Sequence, residues 1–387
     1  AADKIRVAYT PWTPITSVRE AIRPGARPIH SDKENNIINH HHTIKGDIEA
    51  GFAASSYIFE RDFEVGFQEH AYIEPESITV GYDDNEQIVT IYGSIQNAHR
   101  VRGMVAKYLD LPQSKVNVKR SVLGGSFGGK DDIIDHLACR AALLAVLTSR
   151  PVKMTYNREQ SMRESYKRHP YQMHYKIGLD DRARIQAIKI DILADGGSYA
   201  GQTPFVTWRS SVQAAGPYNI PNVRVDITGV YTNNNYTSAY RGFGAPQVIF
   251  ANESLMDEVA EKMGLSPVEL RLRNVLRQND TSMAGQVLSE HQVSAQEVLQ
   301  KAIDKTEFLA KREHYRQLNQ LGGPIKYGIG LALSHRGCSL GAEGLDASSA
   351  LIQINADGSL NLSTSVSENG KGLQTTMSLI AAEAFGL

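Results

Sequence analysis

The residues best suited to chemistry lie in a glycine-rich segment, residues 123–131 (LGGSFGGKD). Four of them are glycine, which adopts positive φ at no steric cost and allows close approach to the backbone. The segment lies between a predicted strand at 116–119 and a predicted helix at 133–147. Such loops direct several backbone N–H groups at one place and so bind oxyanions. The pattern therefore predicts an anion-binding loop.

Two known motifs fit this loop in part. Residues 124–130 match G-x-x-x-x-G-K, but Asp131 occupies the position of the Ser or Thr that binds magnesium in nucleotide phosphate loops. A carboxylate there would repel a triphosphate, so nucleotide hydrolysis is disfavoured. Residues 124–128 also match G-x-S-x-G, the nucleophile turn of serine hydrolases. Histidines are available to act as the base, so a serine hydrolase using Ser126 stays open.

Three further segments place polar groups next to predicted helices. Gln96-Asn97 precedes a basic helix at 99–109. Residues 239–247 (AYRGFGAPQ) precede a helix that reaches Met263. Residues 367–372 (SENGKG) form a second glycine loop, which opens the last helix of the chain. This second loop repeats the arrangement of the first.

Composition limits the class of protein. The chain has 387 residues, of which 41% are hydrophobic and 21% charged, so it is globular, with length enough for two or three domains. Its net charge of -1 and its lack of a basic block argue against nucleic acid as a partner. The longest apolar run, residues 137–147, contains Arg140 and is too short to span a bilayer. We therefore expect a cytoplasmic protein without a signal peptide.

Metal-ligating residues are few. The only cysteines are Cys139 and Cys338, too few for a disulfide framework or for the four ligands of an iron–sulfur cluster. Residues 39–42 (NHHH) contain three adjacent histidines, but neighbours in regular structure cannot all face one ion. We predict a polar turn there. Segment 68–76 (QEHAYIEPE) could form a polar wall or a solvated strand end, and we expect the second.

The remaining patterns mix strands and helices with long hairpins and predict an α+β fold. Strands are expected at 4–9, 327–334 and 349–355, among others, and a helix with a capping box from Ser294 to about Leu318. A first strand without an initiator methionine, and an end on a helix, suggest one piece of a larger enzyme. Three parts are predicted: 1–30, 31–320 and 321–387.

Taken together, Gln96-Asn97, the first glycine loop, residues 239–247 and residues 368–372 resemble the large, molybdenum-binding subunit of the xanthine oxidoreductase family of molybdenum hydroxylases. The resemblance covers essentially all of the chain, and the combination of GGSFGGK with AYRGFGAPQ is highly specific. It implies the end of an α/β hammerhead-like domain and a linker in 1–30. A mixed α+β molybdopterin-binding domain with long β-hairpins follows. Residues 321–387 would begin the second cofactor-binding subdomain, truncated or completed by another chain.

The resemblance also implies cofactor-binding residues. Gln96 corresponds to a glutamine whose amide donates to an oxo ligand of molybdenum. Phe127 and Gly128 correspond to a pair whose backbone approaches the metal, and Arg241 to an arginine beside the pterin and the metal. Gln96, Phe127 and Arg241 would therefore form the molybdenum surroundings. The loop that holds the dinucleotide tail of the pterin would be Gly370, Lys371 and Gly372.

The implied substrate-binding residues are Asp131, Arg209, Phe243 and Gly341. Asp131 would hydrogen-bond the substrate, Arg209 would stabilise negative charge on a heterocycle, and Phe243 would stack a flat ring. Asp131 and Arg209 are thus the catalytic candidates. Three residues depart from the purine-oxidising members of the family. Asp131 stands in place of a glutamate, Leu340 in place of a phenylalanine and Gly341 in place of a threonine.

The implied activity is hydroxylation of an aromatic N-heterocycle with water as oxygen source: a purine such as xanthine or hypoxanthine, as in purine catabolism, or nicotinate. Leu340 favours aldehyde oxidation as the alternative within the family. The family's general-base glutamate lies beyond Leu387, so a second chain or segment would carry the C-terminal half of the domain. The cofactor would be a molybdenum-pterin, with or without cytosine dinucleotide. The [2Fe–2S] clusters and FAD would lie on partner subunits or domains.

Overall fold

A computed structural model describes residues 4–337 and 347–387. The helices in chain order are α1 (Val18–Ala21), α2 (Ile48–Ala53), α3 (Ala98–Tyr108), α4 (Ile133–Thr148), α5 (Arg158–Glu164), α6 (Thr203–Ser211), α7 (Ala245–Lys262), α8 (Pro267–Asn274), α9 (Ala295–Thr306), α10 (Phe308–Gln320) and α11 (Leu373–Phe385). The strands are β1 (Ile37–Lys45), β2 (Tyr57–Val65), β3 (Ser77–Asp83), β4 (Ile88–Gly93), β5 (Val116–Arg120), β6 (Val152–Thr155), β7 (Tyr171–Leu179), β8 (Ile185–Gly197), β9 (Asn222–Tyr231), β10 (Ala350–Ile354) and β11 (Leu360–Thr364).

These elements form two units, each assembled from three stretches of the chain. Unit 1 contains Ala1–Val65, His169–Thr237 and Gln247–Ser334. Unit 2 contains Gly66–Arg168, Ser238–Pro246 and His335–Leu387. The first glycine loop and the loop at 239–246 therefore belong to the same unit although they are far apart in sequence.

Unit 1 is built on a five-stranded sheet in the order β1-β9-β8-β7-β2. Strands β8 and β9 are parallel, and the other neighbours are antiparallel. Burial alternates along β7 and β8, so Tyr175 and Ile190 enter the core while Lys176 and Asp191 lie on the opposite face. Apolar residues of α7 belong to the same core. Burying each large apolar side chain stabilises the unit by about 2 kcal/mol.

Unit 2 contains a four-stranded sheet in the order β5-β4-β3-β6, and a separate hairpin of β10 and β11. Strands β4 and β5 are parallel neighbours, so β4, α3 and β5 form a β-α-β unit. Helix α3 begins after Asn97, whose side chain accepts the Arg100 N–H. Helix α4 packs in the same core as the sheet, and its alanines allow close packing. Within residues 4–337 and 347–387, no helix has the length and apolarity to cross a bilayer.

Several sequence predictions about secondary structure are wrong. Residues 4–9 and 327–334 are not in strands. The helix predicted from Ser294 is two helices, α9 and α10, because Glu307 between them adopts a φ of +52°. Ser294 caps α9 without a side-chain hydrogen bond. Helix α6 was not predicted. The helix predicted at 133–147 is confirmed as α4, and a long hairpin is present as β7 and β8. Helix α8 opens with a capping box between Ser266 and Glu269.

The polar segments at 39–42 and 68–76 also differ from expectation. Residues 39–42 lie within β1, where they pair with β9, rather than in a turn. In the part of the chain that the structure describes, no three His, Cys, Asp or Glu side chains are placed to hold a metal ion. Segment 68–76 is solvated only in part: His70, Tyr72 and Glu76 are buried, whereas Gln68, Ala71 and Ile73 are exposed. It lies beneath the first glycine loop.

Candidate functional site

The β-α-β unit of unit 2 brings Gln96 and the first glycine loop to one edge of the sheet. Gln96 follows the carboxyl end of β4, and Gly124 follows the carboxyl end of β5. Parallel neighbouring strands end at the same edge, which is where α/β sheets bind ligands. The Gln96 N–H donates to the Lys130 carbonyl at 3.1 Å, so the two segments are in direct contact.

The side chain of Gln96 has its orientation set by Ser126. The Ser126 hydroxyl donates to Gln96 Oε1. Because the amide oxygen is committed to this bond, the Nε2–H groups are the part of Gln96 that can serve a ligand. Ser126 is 1% exposed, and among residues 4–337 and 347–387 no histidine hydrogen-bonds its hydroxyl. This arrangement is that of a structural serine rather than of an activated nucleophile.

The tip of the first loop has an unusual backbone. Phe127 adopts a φ of +52°, and Gly128 a φ of +94°. Left-handed backbone is uncommon for a phenylalanine, and such strain is concentrated at functional sites. The Tyr166 hydroxyl donates to the Gly128 carbonyl, and this holds the tip in place. Phe127 remains 48% exposed. The loop therefore holds a strained backbone at its tip, with the Phe127 side chain partly exposed to solvent.

The loop at 239–246 repeats this backbone pattern. Phe243 has a φ of +50°, between Gly242 at +95° and Gly244 at +94°. The Arg241 N–H donates to the Phe127 carbonyl at 2.9 Å, which joins the two loops. The Arg241 side chain is exposed. Unit 2 thus brings Gln96, Phe127, Gly128, Arg241 and Phe243 into one region.

Two buried side chains, His70 and Arg168, contact the loop at 239–246. His70 shares a 2.8 Å hydrogen bond with the Ala239 carbonyl, and its ring lies 4.5 Å from that of Tyr240. The Arg168 guanidinium stacks 3.9 Å from the Tyr240 ring, and its Nη2 donates to the Arg241 carbonyl at 2.8 Å. From the sequence alone, neither residue was assigned a role in supporting this loop. For His70, the available signal was the period of two between His70, Tyr72 and Glu74, which is typical of an extended segment with one face buried.

The acidic residues after the first loop open helix α4. The Tyr166 hydroxyl lies 3.3 Å from the backbone nitrogens of Asp131 and of Asp132. Arg100 forms ion pairs with Asp132 at 3.1 Å and with Asp135 at 2.7 Å. Burial raises the pKa of Asp135 to about 6. Asp131 is half-buried next to the loop, in the same unit as Phe243.

The second glycine loop already binds a carboxylate of its own. Glu368 Oε1 accepts the N–H groups of Gly370 at 2.7 Å and Gly372 at 3.1 Å, and Oε2 accepts that of Gln374 at 3.2 Å. These backbone bonds lower the pKa of Glu368. The Ser367 hydroxyl donates to the Gln96 carbonyl at 3.3 Å. A cavity of about 150 Å³ adjoins the loop; its lining includes Arg120, Leu123, Val366, Glu368 and Gln374.

The two remaining predicted substrate-binding residues are Arg209 and Gly341. Arg209 lies in unit 1, in the last turn of α6, where it is 7% exposed and 5.2 Å from the Trp208 ring. Gly341 and its neighbour Leu340 lie outside the described residues. Their predicted roles stay predictions.

Two family models of the molybdopterin cofactor-binding domain match this chain. One covers residues 29–275 and the other residues 299–387. The chain belongs to the molybdenum-binding subunits of the xanthine dehydrogenase family. The resemblance stated from the sequence, the mixed α+β fold and membership of a molybdopterin-binding oxidoreductase family are therefore confirmed.

Relatives of this xanthine dehydrogenase-family chain include two bacterial subunits. It is 39% identical over 305 residues to the nicotinate dehydrogenase large molybdopterin subunit of Eubacterium barkeri, covering 79% of this chain and 70% of that one. It is 34% identical over 390 residues to a "Probable xanthine dehydrogenase" subunit of Bacillus subtilis. That match covers 100% of this chain and 50% of the relative, so the chain spans half of the Bacillus protein's length.

A solved structure gives the same architecture. The aldehyde oxidoreductase of Desulfovibrio gigas superposes with a TM-score of 0.80 at 29% identity, over 93% of this chain and 39% of that one. The residues of this xanthine dehydrogenase-family chain fit the cofactor. Because Gln96 Oε1 accepts the Ser126 hydroxyl, the Gln96 Nε2–H groups can donate to a ligand. The second glycine loop demonstrates with Glu368 that its N–H groups bind an oxyanion.

One prediction concerns the pH dependence of unit 2. Burial lowers the pKa of His70 from 6.5 to about 4, so the folded chain binds fewer protons here than the unfolded chain does. The stability contributed by neutral His70 is therefore complete above pH 6.5 and lost as pH falls toward 4, by on the order of 3 kcal/mol. Asp135, with its raised pKa, acts in the opposite direction over part of this window.

The difference between wild type and His70→Gln isolates the histidine. Glutamine can donate to the Ala239 carbonyl but does not titrate, so Asp135 contributes equally to both proteins. We expect amide-exchange protection of α4 to fall more steeply between pH 6.5 and 4 in wild type than in His70→Gln. Parallel pH profiles would show that His70 does not carry this dependence.

Proposed function

We propose that this chain carries a molybdenum-pterin cofactor and hydroxylates an aromatic N-heterocycle, a purine or nicotinate, with water as the oxygen source. The observation that supports this most is the direct bond between the two loops, Arg241 N–H to Phe127 carbonyl. This bond joins the loop that contains Gly128 to the loop that contains Phe243. The 39% identity with the Eubacterium subunit supports nicotinate as the first substrate to test.

In this proposal Gln96 and Gly128 hold the cofactor with neutral donors. The Gln96 Nε2–H groups and the Gly128 N–H would donate to an oxo ligand, and the Arg241 guanidinium would balance the negative charge of the centre. The N–H groups of Gly370, Lys371 and Gly372 would bind the tail phosphates, with Glu368 leaving the position that it fills. When bound, the cofactor supplies the two-electron oxidation of the substrate carbon.

The substrate would be oriented by two side chains of unit 2. Phe243 would stack on a flat ring, and Asp131 would accept a hydrogen bond from a ring N–H. Arg209 would stabilise the negative charge that develops on the heterocycle during attack. Asp131 is one methylene shorter than the glutamate of purine-oxidising members, so its reach favours a substrate that lies closer to α4.

Aldehyde oxidation is the second candidate. The superposition on the Desulfovibrio aldehyde oxidoreductase, at 29% identity over 93% of the chain, supports it. Leu340, in place of a stacking phenylalanine, favours it as well. The enzyme assembled with its partners should be assayed with nicotinate, hypoxanthine, xanthine and benzaldehyde under one set of conditions. Turnover of a heterocycle with the highest kcat/KM supports the first proposal, and turnover of the aldehyde alone contradicts it.

Arg209 provides a separate prediction. We expect Arg209→Ala to lower kcat for a heterocycle by about 100-fold or more, because a charge-stabilising group at the transition state is lost. Trp208→Phe is the matched control, since it changes the neighbouring ring and keeps the guanidinium. Unchanged heterocycle turnover in Arg209→Ala would show that its assigned role is wrong.

In this proposal, partner subunits or domains carry the iron–sulfur clusters and FAD. Two cysteines are too few for [2Fe–2S] clusters, which we assign with FAD to other subunits or domains of a cytoplasmic enzyme. Relatives of the chain include molybdenum-binding subunits of Escherichia coli xanthine dehydrogenases, which supports a multi-subunit assembly. A further chain or segment would carry the C-terminal half of the molybdenum domain. The division into 1–30, 31–320 and 321–387 stays a prediction.

A further inference from the structure

Lys130 forms hydrogen bonds to three other residues of unit 2 through its Nζ, its backbone N–H and its carbonyl. Its Nζ donates to Glu74 Oε2 at 3.1 Å. Its backbone N–H donates to Ser126 Oγ at 3.4 Å, and its carbonyl accepts the Gln96 N–H at 3.1 Å. One residue therefore connects the glycine loop, Gln96 and the segment 68–76. Sequence reasoning considered this lysine only as a phosphate-binding residue.

The environment of Lys130 excludes contact with a ligand in this structure. The residue is wholly buried, and its Nζ lies 4.8 Å from the centre of the Tyr72 ring. Burial lowers the pKa of Lys130, and the neighbouring Glu74 carboxylate opposes that shift. Buried lysines are rare in proteins and are retained where they are paired. The positive charge therefore faces inward, to a carboxylate that itself contacts the loop.

Glu74 closes the loop from the other side. Its Oε2 accepts the Gly124 N–H as well as the Lys130 Nζ–H, and its Oε1 accepts the Ser94 hydroxyl. Its own N–H donates to the Gly124 carbonyl at 3.4 Å. A single carboxylate thus binds both ends of the loop, and also the residue two positions before Gln96. The Glu74–Lys130 ion pair therefore connects the start of the loop at Gly124 to its end at Lys130.

We propose that the Glu74–Lys130 ion pair is the positioning device of the candidate site, which fixes the Gly128 N–H relative to the Gln96 amide. The route runs from Glu74 to Lys130, and from Lys130 through its carbonyl to Gln96. Glu74 and Lys130 are positioning residues, because they act through Gln96 and the loop. The inference rests on the proposed function for the identity of the ligand, and on the hydrogen bonds alone for the geometry.

Charge and position can be separated by substitution. Lys130→Met leaves the Glu74 carboxylate unpaired, and Glu74→Gln leaves a buried lysine unpaired, so each should destabilise unit 2. The double variant Glu74→Gln/Lys130→Met contains neither charge and should regain stability, since it leaves no unpaired charge next to the buried position 130. It still lacks the bond from Lys130 Nζ to Glu74 that connects the two ends of the loop. A merely structural pair would be fully rescued in the double variant, and a positioning pair would not.

Hydrogen–deuterium exchange on the full 387-residue chain tests this directly. We expect peptides spanning 121–131 to exchange about tenfold faster or more in all three variants, because a hydrogen bond to a charged group is lost. Peptides of α4 should exchange at the wild-type rate in the double variant. Ile91→Ala is the control, because Ile91 is wholly buried in the core of the same unit and lies outside this hydrogen-bond chain. It should raise exchange throughout the unit.

The outcomes are distinct from those that test the function. Wild-type exchange at 121–131 in the double variant would overturn the proposal, and so would a uniform rise like that of Ile91→Ala. If the single variants do not fold, the double variant alone decides. In the enzyme assembled with its partners, the double variant should lower kcat and leave KM unchanged. A wild-type enzyme without molybdenum would contradict the proposed function while leaving the exchange result intact.

Discussion

Replacing Gly128 with alanine should lower the kcat/KM of the assembled enzyme by about 100-fold or more, the usual effect of losing one preorganised donor. An alanine Cβ at this position would lie 2.8 Å from the Ala239 carbonyl oxygen and 3.1 Å from its carbon. The obstacle is backbone, so no side chain can move aside to relieve it. The φ of +94° is also one that alanine rarely adopts. The Gly128 N–H and the loop at 239–246 must therefore move apart.

Gly81→Ala is the matched control for this prediction. Gly81 lies in β3 of the same unit, and a Cβ there meets nothing within 4 Å. Both variants should contain as much molybdenum per chain as wild type, which separates a catalytic defect from a loss of cofactor. Steady-state kinetics with the best heterocycle then give the effect. Wild-type kcat/KM in Gly128→Ala would contradict the role of this N–H.

Arg271→Met should destabilise unit 1 by about 3–5 kcal/mol, because it leaves a buried carboxylate without its partner. Arg271 is wholly buried. Its guanidinium bonds Glu253 at 2.9 Å and Asp257 at 2.6 Å, and Glu253 also accepts the Tyr218 hydroxyl at 2.6 Å. Glu253 is itself almost wholly buried, so solvent cannot replace the lost guanidinium.

Tryptophan fluorescence measures this effect in unit 1 alone. The two tryptophans, Trp12 and Trp208, both lie in that unit. Arg273→Met is the control, because Arg273 lies on the same helix and donates to a backbone carbonyl near the surface. Urea unfolding should give a large shift of the midpoint for Arg271→Met and a small one for Arg273→Met. Equal shifts would show that the buried network is not what stabilises the unit.

The meeting of Gln96 with the first glycine loop depends on local sequence features. Two strands joined by one helix of about ten residues form a parallel pair, so the segments after them reach one edge of the sheet. The Glu368 contacts are local as well, since the carboxylate binds N–H groups two to six residues further on. Contacts of this short range could be predicted from the sequence.

The support beneath the loop could not be predicted in this way. Glu74 and Lys130 are 56 residues apart, and no local pattern pairs them. The segment 68–76 looks hydrophilic, and the burial of His70, Tyr72 and Glu76 within it depends on partners from other parts of unit 2. The left-handed backbone at Phe127 and Phe243 violates the preference of phenylalanine, so propensity argues against it. Conflicts between local preference and final structure are expected at functional sites.

We expect the chain to hold a molybdenum-pterin cofactor at these loops. The most direct test is elemental and pterin analysis of the chain purified with its natural partners, beside a variant with Gln96→Ala and Gly128→Val combined. We expect about one molybdenum and one pterin per wild-type chain, as for a single site, and a clear loss of both from the variant. Absence of molybdenum and pterin from the wild-type assembly, or the same content in the variant, would contradict it.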